Sequence, residues 1–261
     1  MSDTRPIGVY DSGIGGLTVF KKLSALLPME NFIYYGDTVN IPYGTKSKEE
    51  LLKITEKTML FFAQKNVKAV VMACNTTSAA VYDDLKNEVD FILYPLVQNA
   101  SFQIAAMNIK SIGILSTEVT ANSHAYKTNL QKYSPKLNVY EHGCPADWVK
   151  MVENNTVDEP ENQKIIEKHL KIILENNVDK IILGCTHYPY LRNVLSKIAG
   201  KDIFIDPSEY FANFIVKDLN EKGLQSDKNI FRPQFFVTSN PEQFMISSKL
   251  FYKLDKMPFL V

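Results

Sequence analysis

The sequence predicts an α/β protein made of two similar halves, each with mostly parallel sheet, facing one another across a cleft. Three observations predict it. Short β-branched runs alternate with amphipathic helical patterns along the chain, as βαβ units do. Two strands of the first half are echoed, in the same order, in the second. The second strand of each pair closes on a cysteine, Cys74 in one half and Cys185 in the other.

Strands are expected over residues 6–10, 31–35, 68–73, 91–95, 111–115, 138–142, 180–183 and 202–205. Helices fill most of the gaps, for example 17–27, 48–65 and 161–176. In the last of these, Ile165, Ile166, His169, Leu170 and Ile173 recur at three-to-four spacing and share one face. The echo sets Pro6-Ile7-Gly8-Val9-Tyr10-Asp11-Ser12 against Ser111-Ile112-Gly113-Ile114-Leu115-Ser116-Thr117. It then sets Val67-Lys68-Ala69-Val70-Val71-Met72-Ala73-Cys74 against Val178-Asp179-Lys180-Ile181-Ile182-Leu183-Gly184-Cys185. Chance likeness between apolar strands accounts for one such match. Two in the same order, with cysteine at matching ends, mark a repeat. The polar segment 94–100 is expected to cross between the halves, the segment near Pro207 to return, and the chain from Glu209 to pack on the first half. Domains are therefore expected at 1–96 with 209–261, and at 97–208.

Composition narrows the function. The 261 residues are 45% hydrophobic and 22% charged, ordinary for a globular protein. Lys+Arg and Asp+Glu both number 29, and no basic stripe is visible, so no nucleic-acid partner is expected. No apolar stretch is long enough to span a bilayer, and the short polar start lacks a secretory pattern. A cytoplasmic protein without membrane contact is expected. Cys74, Cys144 and Cys185 are far apart and odd in number, which fits free thiols in a reducing compartment.

Residues just after strands carry the function in such folds, because ligands bind beyond the carboxyl ends of the strands. Asp11-Ser12-Gly13-Ile14-Gly15-Gly16-Leu17-Thr18 sits at one such place. Its glycines allow a tight turn and a close ligand approach, and the helix start suits an anion. A dinucleotide loop is one reading, with Asp37 as the ribose-binding acid. G-x-G-x-x-G would need glycine where Thr18 stands, however, and a Gly-Lys-Ser/Thr run is absent. A tight βα turn without ligand fits as well. Cys74-Asn75-Thr76-Thr77-Ser78 and Gly184-Cys185-Thr186-His187-Tyr188-Pro189 each place a cysteine between strand and helix. A helix N-terminus can lower a thiol's pKa from its free value of about 8.5. Either cysteine alone reads equally as a buried apolar residue; the echo favours a working pair. Cysteine and histidine spacings show no zinc pattern, and no metal is expected.

Two thiols facing one carbon fit a cofactor-free inversion, with a base on one face and an acid on the other. Charge that develops on a neighbouring carboxylate needs donors, and Asn75, Thr76, Thr117 and Thr186 are suitable. Asp11 and His187 sit where each can orient a thiol or exchange protons with it. His124, His142 and His169 read as structural and Cys144 as a packing residue. Glu153 alone reads as a solvated helix charge.

These residues resemble the glutamate racemase family. The matching segments are residues 11–18, Tyr35-Gly36-Asp37-Thr38, Ile41-Pro42-Tyr43-Gly44-Thr45-Lys46-Ser47, Cys74-Asn75-Thr76 and Leu183-Gly184-Cys185-Thr186-His187-Tyr188-Pro189. Weaker matches are residues 117–120 with Ser123 and Tyr126, and Cys144-Pro145 followed by Val152-Glu153. The resemblance covers nearly the whole chain. It implies two pseudo-symmetric α/β domains with the active site in the inter-domain cleft. It also implies interconversion of L- and D-glutamate without cofactor, supplying D-glutamate for peptidoglycan, by a homodimer. Cys74 would take the proton from the D isomer and Cys185 from the L isomer, assisted by Asp11, Glu153 and His187. Substrate would contact Asp11, Ser12, Pro42, Tyr43, Gly44, Asn75, Thr76, Thr117, Thr120, Thr186 and His187. Residues 93–100 and Asp147-Trp148-Val149-Lys150 depart from the family pattern. The N-terminal extension tied in some members to activation by a cell-wall precursor is missing, so that control is not expected.

The rival readings are an aspartate or hydantoin racemase of the same superfamily, a nucleotide-binding module using residues 11–18, and a thiol redox protein.

Overall fold

The computed structural model of the chain describes residues 2–229 and 231–261. The first part of the chain runs β1 (Ile7–Asp11), α1 (Leu17–Leu26), β2 (Phe32–Gly36), α2 (Lys48–Gln64), β3 (Ala69–Met72), α3 (Asn75–Leu85), β4 (Ile92–Pro95) and α4 (Leu96–Ile104). The second runs β5 (Ser111–Thr117), α5 (Glu118–Asn122), α6 (Ala125–Tyr133), β6 (Asn138–Cys144), α7 (Asp147–Glu153), α8 (Pro160–Leu174), β7 (Lys180–Gly184), α9 (Arg192–Ala199) and β8 (Phe204–Ile205). The return adds α10 (Pro207–Glu221), β9 (Gln234–Val237), α11 (Pro241–Ser248) and β10 (Phe259–Leu260). Among the described residues no helix is long and apolar enough to cross a membrane.

These elements make two parallel sheets, ordered β10-β9-β2-β1-β3-β4 and β6-β5-β7-β8. Every residue of β1 and β3 is buried, as expected of central parallel strands covered on both faces. Alternation along β1 sends Ile7 and Val9 into one core cluster and Tyr10 into another. The echoed strands are neighbours in each sheet. β1 pairs with β3, Tyr10 opposite Met72, and β5 pairs with β7, Ser116 opposite Gly184. The repeat in sequence is thus a repeat in topology, and it brings Asp11 beside Cys74 and Thr117 beside Cys185 at the carboxyl ends of adjacent strands.

Local chemistry fixes the helix starts. Ser47 and Glu50 close a capping box on α2, with Ser47 Oγ accepting from Glu50 N and Glu50 Oε2 accepting from Ser47 N. Pro160 and Pro207 occupy the first turns of α8 and α10, and Asp206 caps the latter by accepting from Ser208 N.

Two expectations change. Residues 94–100 are not a polar crossing: they finish β4 and begin α4, where Leu96, Val97, Ala100 and Ile104 are buried. Their three-to-four spacing is a helical core face, and α4 packs against α6 and α10. The connection to the second sheet follows at residues 105–110. In addition, β9 and β10 were not expected. Phe235-Phe236-Val237 pairs with β2, which lengthens the first sheet with the last part of the chain.

A buried ion pair ties that return in place. Lys68 Nζ lies 2.6 Å from Glu30 Oε2, with side chains 0% and 2% exposed. The same ammonium donates to the carbonyls of Asp3 and Leu224, and Glu30 accepts from Ser226 N. Removing one partner of such a pair costs about 3–5 kcal/mol, because the other charge stays buried and unpaired. We expect Lys68→Met to lower the unfolding free energy by that order in urea titration, and the double change Lys68→Met with Glu30→Leu to lose less than the single one.

Candidate active site

Both repeat cysteines open onto one pocket. Its lining takes Ser12, Pro42, Tyr43, Gly44, Cys74, Asn75 and Thr76 from the first half. From the second it takes Thr117, Cys144, Cys185, Thr186 and His187. The thiols are 5% and 7% exposed. Counted to its mouth the pocket encloses about 530 Å³, but only about 30 Å³ admits a water-sized sphere. That is space for a water or two.

Each thiol sits where a strand gives way to a helix. Cys74 is the N-cap of α3, in extended conformation, and presents its side chain beside the free N–H groups of that helix. Burial, and then the nearby Asp11 carboxylate, push the Cys74 thiol up to about 12. Cys185 Sγ lies 3.9 Å from His187 Nδ1. The other ring nitrogen, Nε2, lies 3.0 Å from Glu153 Oε1. Burial alone would lower the pKa of His187, but Cys185 and Glu153 more than reverse this and raise it to about 10. The imidazole is therefore held in its protonated form, buried between Cys185 and Glu153.

Asp11 is fully buried. Desolvation raises its pKa, against His187, the N–H groups of Gly13 and Gly16, and Thr186. Its Oδ1 accepts from Gly13 N at 3.0 Å and its Oδ2 from Thr186 Oγ1 at 3.3 Å. Thr18, the residue that breaks the dinucleotide pattern, donates its hydroxyl to the Thr186 carbonyl at 3.3 Å. The glycine loop is thus spent on the opposite half. A Cβ on Gly15 would lie 2.3 Å from Thr186 Oγ1 and 2.6 Å from His187 Nδ1. The close approach that glycine allows is made to protein.

The hydroxyls and amides form a linked set. Asn75 Oδ1 accepts from Tyr126 OH at 2.6 Å, which leaves Asn75 Nδ2 buried and without a partner among the described residues. Thr76 Oγ1 meets Thr117 Oγ1 at 3.1 Å, and Thr117 meets Thr120 at 3.0 Å. Tyr43 OH donates to Asp37 Oδ2 at 2.5 Å and touches Tyr10 OH at 2.8 Å. Its hydroxyl therefore holds the 42–44 turn and is not free for a ligand. Asp37 also accepts from Asn40 and Thr238, a structural duty in place of ribose binding.

The expected residues divide accordingly. Ser12, Pro42, Tyr43, Gly44, Cys74, Asn75, Thr76, Thr117, Cys185, Thr186 and His187 line the pocket. Asp11, Thr120 and Glu153 do not, and reach it through Thr186, Thr117 and His187. Cys144, expected as packing alone, is buried and also lines the pocket, as do Thr45, Glu118 and Val149. Among the described residues no group of three or more His, Cys, Asp or Glu is placed to hold a metal. All three cysteines are free thiols.

A sequence model of the Asp/Glu/Hydantoin racemase family matches residues 11–215. The chain belongs to that family. Within it, the chain is 36% identical over 250 residues to a glutamate racemase of Thermoanaerobacter pseudethanolicus, covering 95% of this chain and 93% of that one. The structure is similar to that of a glutamate racemase from Francisella tularensis in complex with D-glutamate, with a TM-score of 0.90 and 34% identity, over 99% of this chain and 98% of that one. It is similar in fold alone to an aspartate racemase of Picrophilus torridus, with a TM-score of 0.56 and 17% identity, over 82% of this chain and 94% of that one.

Two outcomes follow from this racemase site. Gly15→Ala forces Thr186 and His187 away, and a displacement of about 1 Å at a reacting group can cost ~10²-fold. We expect kcat/KM for the family's amino-acid reaction to fall by about that factor, with the far-ultraviolet circular dichroism unchanged. The second concerns pH. Below about 6.5 folded and unfolded chains both hold the His187 proton, and the pair's contribution is complete. Above that the unfolded chain releases the proton, while the folded chain keeps it up to about 10. Stability should therefore fall as pH rises through this window, and less steeply in His187→Asn, as followed by thermal melting at successive pH values.

Proposed function

We propose that the chain is a glutamate racemase working by a two-thiol mechanism. The observation that carries this reading is that two free thiols, from matching strand ends of two parallel sheets, open onto one pocket. The family match and the likeness to glutamate racemases at 34–36% identity support the substrate. Likeness to an aspartate racemase reaches only the fold.

In this reading Cys74 rests as the thiol, since burial and Asp11 disfavour its anion, and Cys185 takes the thiolate role beside the His187 imidazolium. With L-glutamate bound, Cys185 removes the α-proton. Negative charge passes to the substrate α-carboxylate, where Asn75 Nδ2 and the N–H groups of α3 are available to it. Cys74 then delivers its proton to the other face, giving D-glutamate, a Cys185 thiol and a Cys74 thiolate. The reverse reaction begins from that state. Asp11 and Glu153 act through Thr186 and His187, and Thr120 through Thr117. No cofactor has a step in this sequence.

The reading carries further proposals: D-glutamate supply for peptidoglycan, action in the cytoplasm, and a homodimer. It also carries domain limits of 1–96 with 209–261, and 97–208.

The deciding experiment follows the α-proton of L-glutamate in heavy water with no added cofactor. We expect deuterium to enter as D-glutamate accumulates. Cys74→Ser and Cys185→Ser should each lower turnover by roughly 10³-fold, within the range for a positioned acid or base. Folded wild-type protein that neither exchanges the proton nor forms the D isomer would refute the reading, and aspartate would be the next substrate to test.

A further inference from the structure

Each residue that follows a thiol is held by a side chain from the opposite half. Thr186, after Cys185, donates its hydroxyl to Asp11 Oδ2 at 3.3 Å. Asn75, after Cys74, accepts at Oδ1 from Tyr126 OH at 2.6 Å. Tyr126 lies in the first turn of α6 and is fully buried. Its ring sits against the strand that leads to Cys185: a Cβ added to Gly184 would lie 3.2 Å from Tyr126 Cε2. The bond to Asn75 is the hydroxyl's one hydrogen bond among the described residues. Burial, followed by Asp206 and Cys185, pushes the pKa of the phenol well above its ordinary value, so the proton stays on it. The direction of the Asn75 amide follows. As it stands, Nδ2 alone lacks a partner among the described residues. Turned over, Nδ2 would meet the tyrosine oxygen, and both Oδ1 and the phenol proton would be left without partners. A buried polar group without a partner is costly, so one orphan is favoured over two. Asn75 lines the substrate pocket, where a ligand oxygen can satisfy Nδ2.

We propose that Tyr126 is a positioning residue for racemisation: by donating to Asn75 Oδ1 it fixes the amide so that Nδ2 donates to the substrate α-carboxylate beside Cys74. The proposal rests on the two-thiol reading with glutamate as substrate. Removal of the α-proton sends negative charge onto that carboxylate, and a donor already turned toward it needs no reorganisation as the charge develops. The amide carries both its hydrogens on Nδ2 and only lone pairs on Oδ1. Facing the wrong way, it would set an oxygen against the carboxylate and repel it. The Tyr126 hydroxyl excludes that state. It keeps its own proton and acts on the substrate through Asn75 alone. Tyr126 stands on the second half, against the strand that leads to Cys185. The same side chain therefore sets the donor beside Cys74 in relation to the thiol of the other half.

A double-mutant cycle separates positioning from packing. Tyr126→Phe removes one oxygen and keeps the ring, and Asn75→Ala removes the amide. Both single variants, the double variant and the wild type would be assayed with L- and D-glutamate by polarimetry, with circular dichroism as the check on folding. We expect Asn75→Ala to lower kcat/KM by roughly 10²-fold, as for loss of one donor to developing charge. Tyr126→Phe should lower it about tenfold, since the donor is kept but its direction is not, with more of the loss in kcat than in KM. In the Asn75→Ala background the same Tyr126→Phe change should shift kcat/KM by less than about twofold, because a residue that acts through Asn75 has nothing left to act on. The pH profile of Tyr126→Phe should keep the limbs of the wild-type profile. Wild-type kcat/KM in folded Tyr126→Phe, an equal loss in both backgrounds, or a missing limb in the profile would each overturn the positioning role while racemisation by the wild type stands. A wild type that does not racemise glutamate would instead remove the reading beneath it.

Discussion

His187 is a cation almost wholly removed from water, and the site depends on how that is made tolerable. An isolated buried charge costs several kcal/mol or more. Here one ring nitrogen faces Cys185 and the other Glu153, so both N–H groups have acceptors that carry or can carry negative charge. Burial then works in favour of the contacts, since interactions between charges strengthen as water is excluded. The glycine loop belongs to the same arrangement. Only a residue without Cβ lets the first half close on Thr186 and His187, and that closure shields the imidazolium from solvent.

The fold is pseudo-symmetric, but the site is not. The repeat duplicates strands and cysteines while changing their partners. Cys74 is followed by Asn75 and Thr76, Cys185 by Thr186 and His187. The strand beside Cys74 ends in Asp11, the strand beside Cys185 in Thr117. Burial and the negative neighbour Asp11 disfavour the Cys74 thiolate, while Cys185 has His187 beside it. In the proposed mechanism the duplicated scaffold thereby presents an acid and a base to opposite faces of a single carbon.

Much of this was legible in the sequence because it is local. Strand ends, the Cys74 and Cys185 positions and the helix starts are written in runs of five to ten residues, and the eight expected strands all exist within a few residues of their limits. Long-range features were not. β9 and β10 are strands because β2 offers an edge, and nothing within residues 234–260 reports that edge. The apolar positions of α4 were visible, yet polar Gln98 and Asn99 suggested a linker, since the packing of α4 against α6 and α10 is tertiary. At the site, Glu153 became a candidate through family resemblance alone, because its partner His187 is 34 residues away. Cys144 looked inert for the corresponding reason: it joins the pocket through the pairing of β6 with β5, Thr117 opposite Cys144.

The strand order of the first sheet has a consequence for how the chain is made. Synthesis runs from the N-terminus, and a ribosome releases β1 to β4 long before β9 and β10. The second sheet, by contrast, lies in one uninterrupted stretch and has all its strands once β8 has emerged. The first sheet must wait with an open edge at β2 and with Lys68 and Glu30 lacking the Leu224 carbonyl and the Ser226 N–H. Nascent first halves are therefore the stretch of this chain most in need of protection on the ribosome, since an unpaired parallel edge is a template for association. The half that begins the protein is the last to be finished.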